Sequence, residues 1–305
     1  MKTTIEPQVQ QISLYEEITN KIIAMIENGV APWRKTWTTY GLARNFVSGR
    51  IYSGINYLLM NNTGYRIPYF MTFKQVKELG GSIKKGSEAV QVVFFKVFYK
   101  DIADNSLDRN EAEARILKGE DIKVLRFIRY YNVFNIESIQ GIDLDKSKFL
   151  EIKLSDNEKI ERCEQIILDM PKPPELRQID SNRAFYYPNE DYINLPDIKQ
   201  FESSEHYYAT YFHELIHATG HSSRLARPEV MDFSGFGTKP YSKEELVAEI
   251  GASFLSRFTQ IDYDNIFENN VAYLAGWLKV LKADSKFIFK VSASAQKAAD
   301  YIINC

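Results

Sequence analysis

Apolar residues at three- and four-residue steps, Leu14, Ile18, Ile22, Met25 and Ile26, draw one stripe along residues 13–28 and predict a helix there. Gly29 and then Pro32 stop it. A polar, aromatic stretch rich in Gly, Asn and Arg follows, from Pro32 to Met60. Thr72 with Gln75 three residues later opens a short helix that Gly80-Gly81 closes. Residues 89–99, AVQVVFFKVFY, are β-branched and aromatic and read as a strand, and LRFIRYYNVFNI at 125–136 reads as its partner. The charged residues 101–124 between them read as a long exposed connection. Ser155 with Glu158 opens another helix running to about Met170, which PKPP at 171–174 breaks. AFYYPNEDYINLP (184–196) reads as a strand or hairpin, and helical patterns cover 203–219, 243–258, 270–283 and 287–303. The expected class is α+β in two domains, 1–145 and 150–305, divided where the composition turns acidic.

The 305 residues suit about two domains of roughly 150 residues, and 41 aromatic residues exclude a disordered chain. Only Cys163 and Cys305 occur, far apart, which excludes a disulfide framework or a cysteine zinc knuckle and favours a reducing compartment. No apolar run approaches about 18 residues and no charged-then-apolar leader is visible, so the expectation is a cytoplasmic protein without a membrane partner. The net charge of −2 hides an asymmetry. Residues 1–100 hold 13 Lys and Arg against 6 Asp and Glu, whereas 151–305 hold 17 against 24. A basic first third on an acidic body suits a polyanionic partner.

All four histidines, His206, His213, His217 and His221, fall within sixteen positions. Two of them form His213-Glu214-Leu215-Ile216-His217, an HExxH inside a helical pattern. Positions four apart lie on one face of a helix, so both imidazoles can hold one metal ion. Zinc suits such nitrogen donors, with manganese as the alternative. Glu214, beside the first histidine, is the candidate general base for a water activated at that ion.

A third ligand is expected. The continuation HExxHxxGxxH fails, because Gly220 fits but Ser223 stands at the third histidine position. The segment YSKEELVAEIGASFL offers Glu245 as ligand and Glu249, one turn on, as an acid that orients a ligand imidazole. Leu246, Ile250 and Phe254 put the buried stripe near both acids, and Glu244 is expected to point elsewhere. Ser242 and Glu245 have capping-box spacing, which gives Glu245 an ordinary alternative. Tyr241, His221, Arg224 and His206 are candidate transition-state donors, although His221 and Arg224 follow Gly220 and can also bond the carbonyls at the helix end.

In the basic third, Trp33, Arg34, Lys35 and Trp37 alternate aromatic faces with cations, and Arg44, Arg50, Tyr52, Tyr65, Arg66, Lys74, Lys84 and Lys85 continue the mixture. Single strands are bound by such combinations of stacking rings and phosphate-tracking charges. Trp33 beside Pro32 reads equally as a plug in the core.

Several segments then carry a resemblance. ENGVAPWRKTW (27–37), ARNFVSGRIYSGIN (43–56), MTFKQVKELGGSIKKG (71–86), RYYNVFNIESIQG (129–141), RAFYYPNEDYINLP (183–196), YFHELIHATGHSSRLAR (211–227), YSKEELVAEIGASFL (241–255) and AQKAADYI (295–302) resemble, in this order, the ArdC-type antirestriction proteins of conjugative plasmids and other mobile elements. The resemblance implies a single-stranded-DNA-binding N-terminal domain joined to a zincin-like metallopeptidase domain. It implies His213, His217 and Glu245 as metal ligands, Glu214 as base, and protection of incoming DNA from restriction enzymes. A component of the restriction system is then a candidate protein substrate. The competing expectation is a DNA-binding shield whose zincin half is catalytically idle.

Overall fold

The structure, a computed structural model, describes residues 13–33, 41–144, 149, 154–180, 182–231, 239–261 and 271–304, apart from the side chains of 239–242 and 271–273. Helix α1 (Leu14–Glu27) begins at a complete capping box, Ser13 with Glu16, and buries Ile18, Ile22, Ile23 and Ile26. The stripe read from the sequence is therefore its packed face. Strand β1 (Arg44–Asn45), helix α2 (Ile55–Asn61), strand β2 (Tyr69–Thr72) and helix α3 (Phe73–Glu78) follow, the last opened by the Thr72–Gln75 capping box. Then come β3 (Ser82–Ile83), β4 (Val90–Lys100), β5 (Ser106–Leu107), α4 (Arg109–Leu117), β6 (Lys123–Asn135) and β7 (Ile139–Gln140).

The larger sheet has the order β1-β2-β6-β4-β5. Its spine is the antiparallel pair β4–β6, in register from Val90↔Val133 to Lys100↔Lys123. The expected strand pair is present. The connection between its strands is not a bare loop, since it folds into β5 and into α4, which Asp108 caps through the amides of Asn110 and Glu111.

In the second half, α5 (Asp156–Leu168) starts at the Ser155–Glu158 capping box. Strands β8 (Glu175–Arg177), β9 (Phe185–Tyr187) and β10 (Tyr192–Asn194) form a small sheet of order β8-β10-β9, which leaves β9 at an edge. Helices α6 (Ser204–Ala218), α7 (Pro228–Met231), α8 (Lys239–Thr259), α9 (Val271–Ala283) and α10 (Phe287–Ile302) complete the chain. Helix α8 begins earlier than its pattern suggests. Ser242 already lies inside it, so Ser242 is not the N-cap and the capping-box alternative for Glu245 falls away. No helix among the described residues is long and apolar enough to cross a membrane.

One apolar core runs through both halves, joining Ile18, Trp33, Leu58 and Val93 to Phe212, Leu215, Leu246, Ile250 and Ile288. Tyr57 of α2 seals the junction: its ring meets Phe254 edge-on at 4.4 Å and its hydroxyl lies 2.9 Å from Ser253 Oγ. Helices α6 and α8 cross at Gly251, where a Cβ would fall 2.6 Å from Ile216 Cδ1. Gly251→Ala should therefore destabilise the protein by about 1–3 kcal/mol in urea unfolding, the usual cost of overpacking. Shortening the facing side chain with Ile216→Val should recover part of that loss. Equal stability of Gly251→Ala and parent would mean that the helices part freely.

Candidate metal centre

Ser203 caps α6 by accepting a hydrogen bond from the His206 amide at 3.2 Å, and Tyr208, Phe212, Leu215 and Ile216 bury the helix on several sides. One face remains for chemistry. There His213 and His217 stand one turn apart with their Nε2 atoms 3.1 Å from each other. Helix α8 brings Glu245 to them, with Oε2 3.5 Å from His213 Nε2 and Oε1 3.3 Å from His217 Nε2. The three groups offer ligand atoms all within 4.8 Å of one another. Tetrahedral donors at zinc-ligand length would stand about 3.3 Å apart, so this donor set fits a single divalent cation. Two imidazole nitrogens and a carboxylate also match that chemistry in kind.

Glu214 is buried and lines the same cleft as the three donors. The cleft wall opposite α6 is the edge strand β9, continued by Pro188 and Asn189, with Arg183 and Ala184 before it.

Glu244 departs from its sequence expectation. It does not point away but is buried, with Oε1 3.4 Å from His217 Nδ1. Its charge is met by Arg227, whose Nε donates to Oε2 at 3.0 Å and whose second terminal nitrogen contacts Oε1. The same guanidinium donates to Thr219 Oγ1 at 2.6 Å and to the Ile216 carbonyl at 2.7 Å, closing the C-terminal end of α6. A buried carboxylate needs a cation, and Arg227, next to Pro228, is the signal that sequence reasoning passed over. Glu249 is buried one turn beyond Glu245.

These neighbours set the local electrostatics. Burial opposes charge on His217, but the carboxylate of Glu245 outweighs it, aided by Glu244 and Glu214, and its pKa is pushed up to about 10. Burial would raise the Glu245 carboxyl, yet His217 and His213 hold it well below the usual carboxylate range. Glu244 is lowered likewise: burial opposes this, and His217 and Arg227 prevail.

The four other candidate donors are placed less centrally. Arg224 is spent on structure, its Nε donating to the Ala218 carbonyl at 2.6 Å and a terminal nitrogen to the Lys172 carbonyl at 2.9 Å and Asp191 at 3.0 Å. His221 Nδ1 lies 2.8 Å from Ser223 Oγ. His206 sits near the start of α6 beside Glu202, 3.6 Å away. None of these three lines the cleft. Tyr241 belongs to α8, and its side chain lies outside the described residues.

Among the nucleic-acid candidates, Trp33 is 1% exposed and Tyr52 7% exposed, so both belong to the core and cannot offer ring faces to bases. Burial also pushes the Tyr52 phenol up to about 12. Trp33 joins the main core, its carbonyl accepting from Ser253, and Tyr52 packs on Phe70. Arg34, Lys35 and Trp37 lie outside the described residues. Arg50, Arg66, Lys74, Lys84 and Lys85 are exposed, whereas Arg44 and Tyr65 are partly covered. Lys84 Nζ donates to the Glu137 carbonyl at 2.7 Å, and Lys74 lies 3.6 Å from Glu78.

Comparison with known proteins places both halves. Residues 12–134 match the N-terminal domain of anti-restriction factor ArdC, and residues 172–295 match the zincin-like metallopeptidase family. An uncharacterized protein, y4eC, of Sinorhizobium fredii is 30% identical over 314 residues, covering 99% of this chain and 95% of that one. DNA primase TraC of Escherichia coli is 31% identical over 299 residues, which span 95% of this chain but 27% of that much longer protein. The crystal structure of the antirestriction ArdC protein from R388 plasmid, metal-free, matches with 32% identity and a TM-score of 0.71, over 95% of this chain and 97% of that one. Its Mn(II)-bound structure gives 32% and 0.72, over 96% and 98%.

Proposed function

Because the chain belongs to the ArdC antirestriction family, we propose that it shields DNA of a mobile element from restriction by two means: binding of single-stranded DNA and a metal-dependent peptidase site. The observation that carries the second part is the convergence of His213, His217 and Glu245 beside a buried Glu214, in a cleft walled by an edge strand.

In this reading the three side chains hold a divalent ion, zinc or manganese. Such an ion supplies Lewis acidity, polarising a scissile carbonyl and acidifying a water. The chain's own residues do the rest. An extended substrate backbone can pair with β9, as peptides add to exposed sheet edges. Glu214 takes the proton from the attacking water and returns it to the leaving amine. The Nδ1–H of His217 donates to Glu244, which turns the Nε2 lone pair towards the centre, and Arg227 holds Glu244 in place. In the same reading Glu249, buried on the next turn of α8, takes the part of an acid that orients a ligand imidazole. A component of the host restriction system is the protein substrate this biology calls for.

On the DNA side, the exposed Arg50, Arg66, Lys74, Lys84 and Lys85, with Arg44 and Tyr65, supply charge and contact for the phosphate backbone, alongside Arg34, Lys35 and Trp37.

Elemental analysis of the purified protein tests the ligand assignment. The parent should carry about one divalent ion per chain and His213→Ala far less, since the loss of one of three donors opens the site. Full stoichiometry in the variant would exclude His213 as a ligand.

A further inference from the structure

Beyond the metal centre, the longest strands of the protein carry a surface that its core leaves uncovered. In β4 and β6, residues opposite each other share a face. One face touches the body at its base, where Val93 joins the main core, Ile128 packs on it and Phe95 meets Phe289 at 6.5 Å, although Phe95 and Tyr130 on this face remain 45% and 49% exposed. The other face starts from buried Val92 and continues outward as Phe94 opposite Arg129, Lys96 opposite Phe127, and Phe98 opposite Leu125. On it Phe94, Phe98, Phe127 and Tyr131 are 40%, 40%, 47% and 39% exposed. They form two ring pairs, Phe94–Tyr131 and Phe98–Phe127, each with centroids 5.6 Å apart. Phe94 and Phe98 are separated by four strand positions, or about 14 Å. Lys96 Nζ lies 4.9 Å above the Phe98 ring. The two strands contain no Asp or Glu, and of their five cations Lys96 and Arg129 lie on this face, Lys100 and Lys123 at its far end beside Asp104, and Arg126 on the other face.

We infer that this face of the β4–β6 ribbon is the platform on which single-stranded DNA stacks its bases, an assignment that rests on the single-strand-binding reading above and gives it a location. Exposed rings on a strand are costly to leave in water unless something covers them. A partner with flat π-faces and a negative backbone satisfies both components of this face, the rings by stacking and the Lys96 and Arg129 cations by neutralising phosphates. A second copy of the chain fits worse, because it would set this acid-free basic ribbon against its twin. Paired bases have their faces covered by neighbours, so a duplex should compete poorly.

Fluorescence anisotropy with a labelled oligothymidylate of about twenty nucleotides, long enough for several stacked bases, tests the assignment. The double variant Phe98→Ala/Phe127→Ala should bind about tenfold or more weakly, with an unchanged melting temperature, and Phe98→Trp should bind at least as well as the parent. Lys96→Ala should reduce the slope of log affinity against log salt by about 1. Ultraviolet crosslinking of an oligonucleotide carrying 5-iododeoxyuridine should label peptides containing residues 94–98 and 127–131. If the parent binds and the double variant binds equally, or if the crosslinks fall only elsewhere, the ribbon assignment is overturned while single-strand binding stands. If the parent itself does not bind the oligonucleotide, both readings fall. A dimer seen by light scattering that the double variant dissociates, with DNA affinity unchanged, would give the face to a second copy.

Discussion

Replacing Arg227 by methionine should cost the folded protein about 3–5 kcal/mol, the scale on which breaking a buried ion pair strands an uncompensated charge. The Arg227 side chain is 9% exposed and that of Glu244 is 5% exposed, so water cannot take over from the lost guanidinium. In the same step Thr219 Oγ1 and the Ile216 carbonyl lose the bonds that Arg227 donates, the carbonyl keeping only that from the Thr219 hydroxyl at 2.6 Å. Urea unfolding in the presence of a chelator isolates this effect, because a bound ion would otherwise add its own stabilisation to the folded state. Removing both charges, as in Arg227→Met/Glu244→Met, should restore much of the loss, so the two substitutions should be strongly non-additive. A penalty below about 1 kcal/mol would put the pair on the scale of exposed salt bridges and mean that Glu244 is solvated. The single variant should also bind its divalent ion about 10–100-fold more weakly, because the Nδ1 side of His217 would no longer be held.

That pair also shows where reading the sequence stopped. The two histidines and Glu214 are visible without coordinates, because an i, i+4 spacing on a helix fixes which side chains share a face. Glu245 follows from the same reasoning applied to a second helix. Glu244 escapes it. The stripe through Leu246, Ile250 and Phe254 reads as one-sided, but Val247, Ala248 and Glu249 are buried as well. Helix α8 packs against both α6 and α10 and has little free surface, so periodicity cannot say which of its acids face solvent. Helix α2 carries no sequence signature for a related reason: Ile55 and every residue from Tyr57 to Asn61 is buried, which leaves no polar face to reveal a period. Of the two readings open for Trp33 the core plug holds, and Tyr52 is buried against expectation, because composition near a residue does not report distant neighbours such as Phe70, on which Tyr52 packs. Conversely, the exposure of the rings on β4 and β6 is not legible in the sequence, since a run of aromatic and β-branched residues has the same signature whether or not a second layer covers it.

Glu214→Gln should separate chemistry from binding. The substitution keeps the shape of a side chain that is 7% exposed while removing its ability to accept a proton, so the fold and cleft should be retained. Since the converging donors are His213, His217 and Glu245, the divalent ion should remain at parental stoichiometry. DNA affinity should be unchanged as well, because the basic and aromatic surfaces belong to the other half of the chain. Peptide-bond cleavage, followed by mass spectrometry on a restriction endonuclease incubated with the protein, should slow by about 10²–10⁴-fold, the contribution of a well-placed general base. An unchanged rate would take that role away from Glu214. The same variant, expressed in a restricting host that receives unmodified DNA, decides what protection requires. If it protects as well as the parent, cleavage is dispensable and the protein works as a shield on the strand. If protection falls together with cleavage while DNA binding persists, the metal centre is the part that disarms restriction.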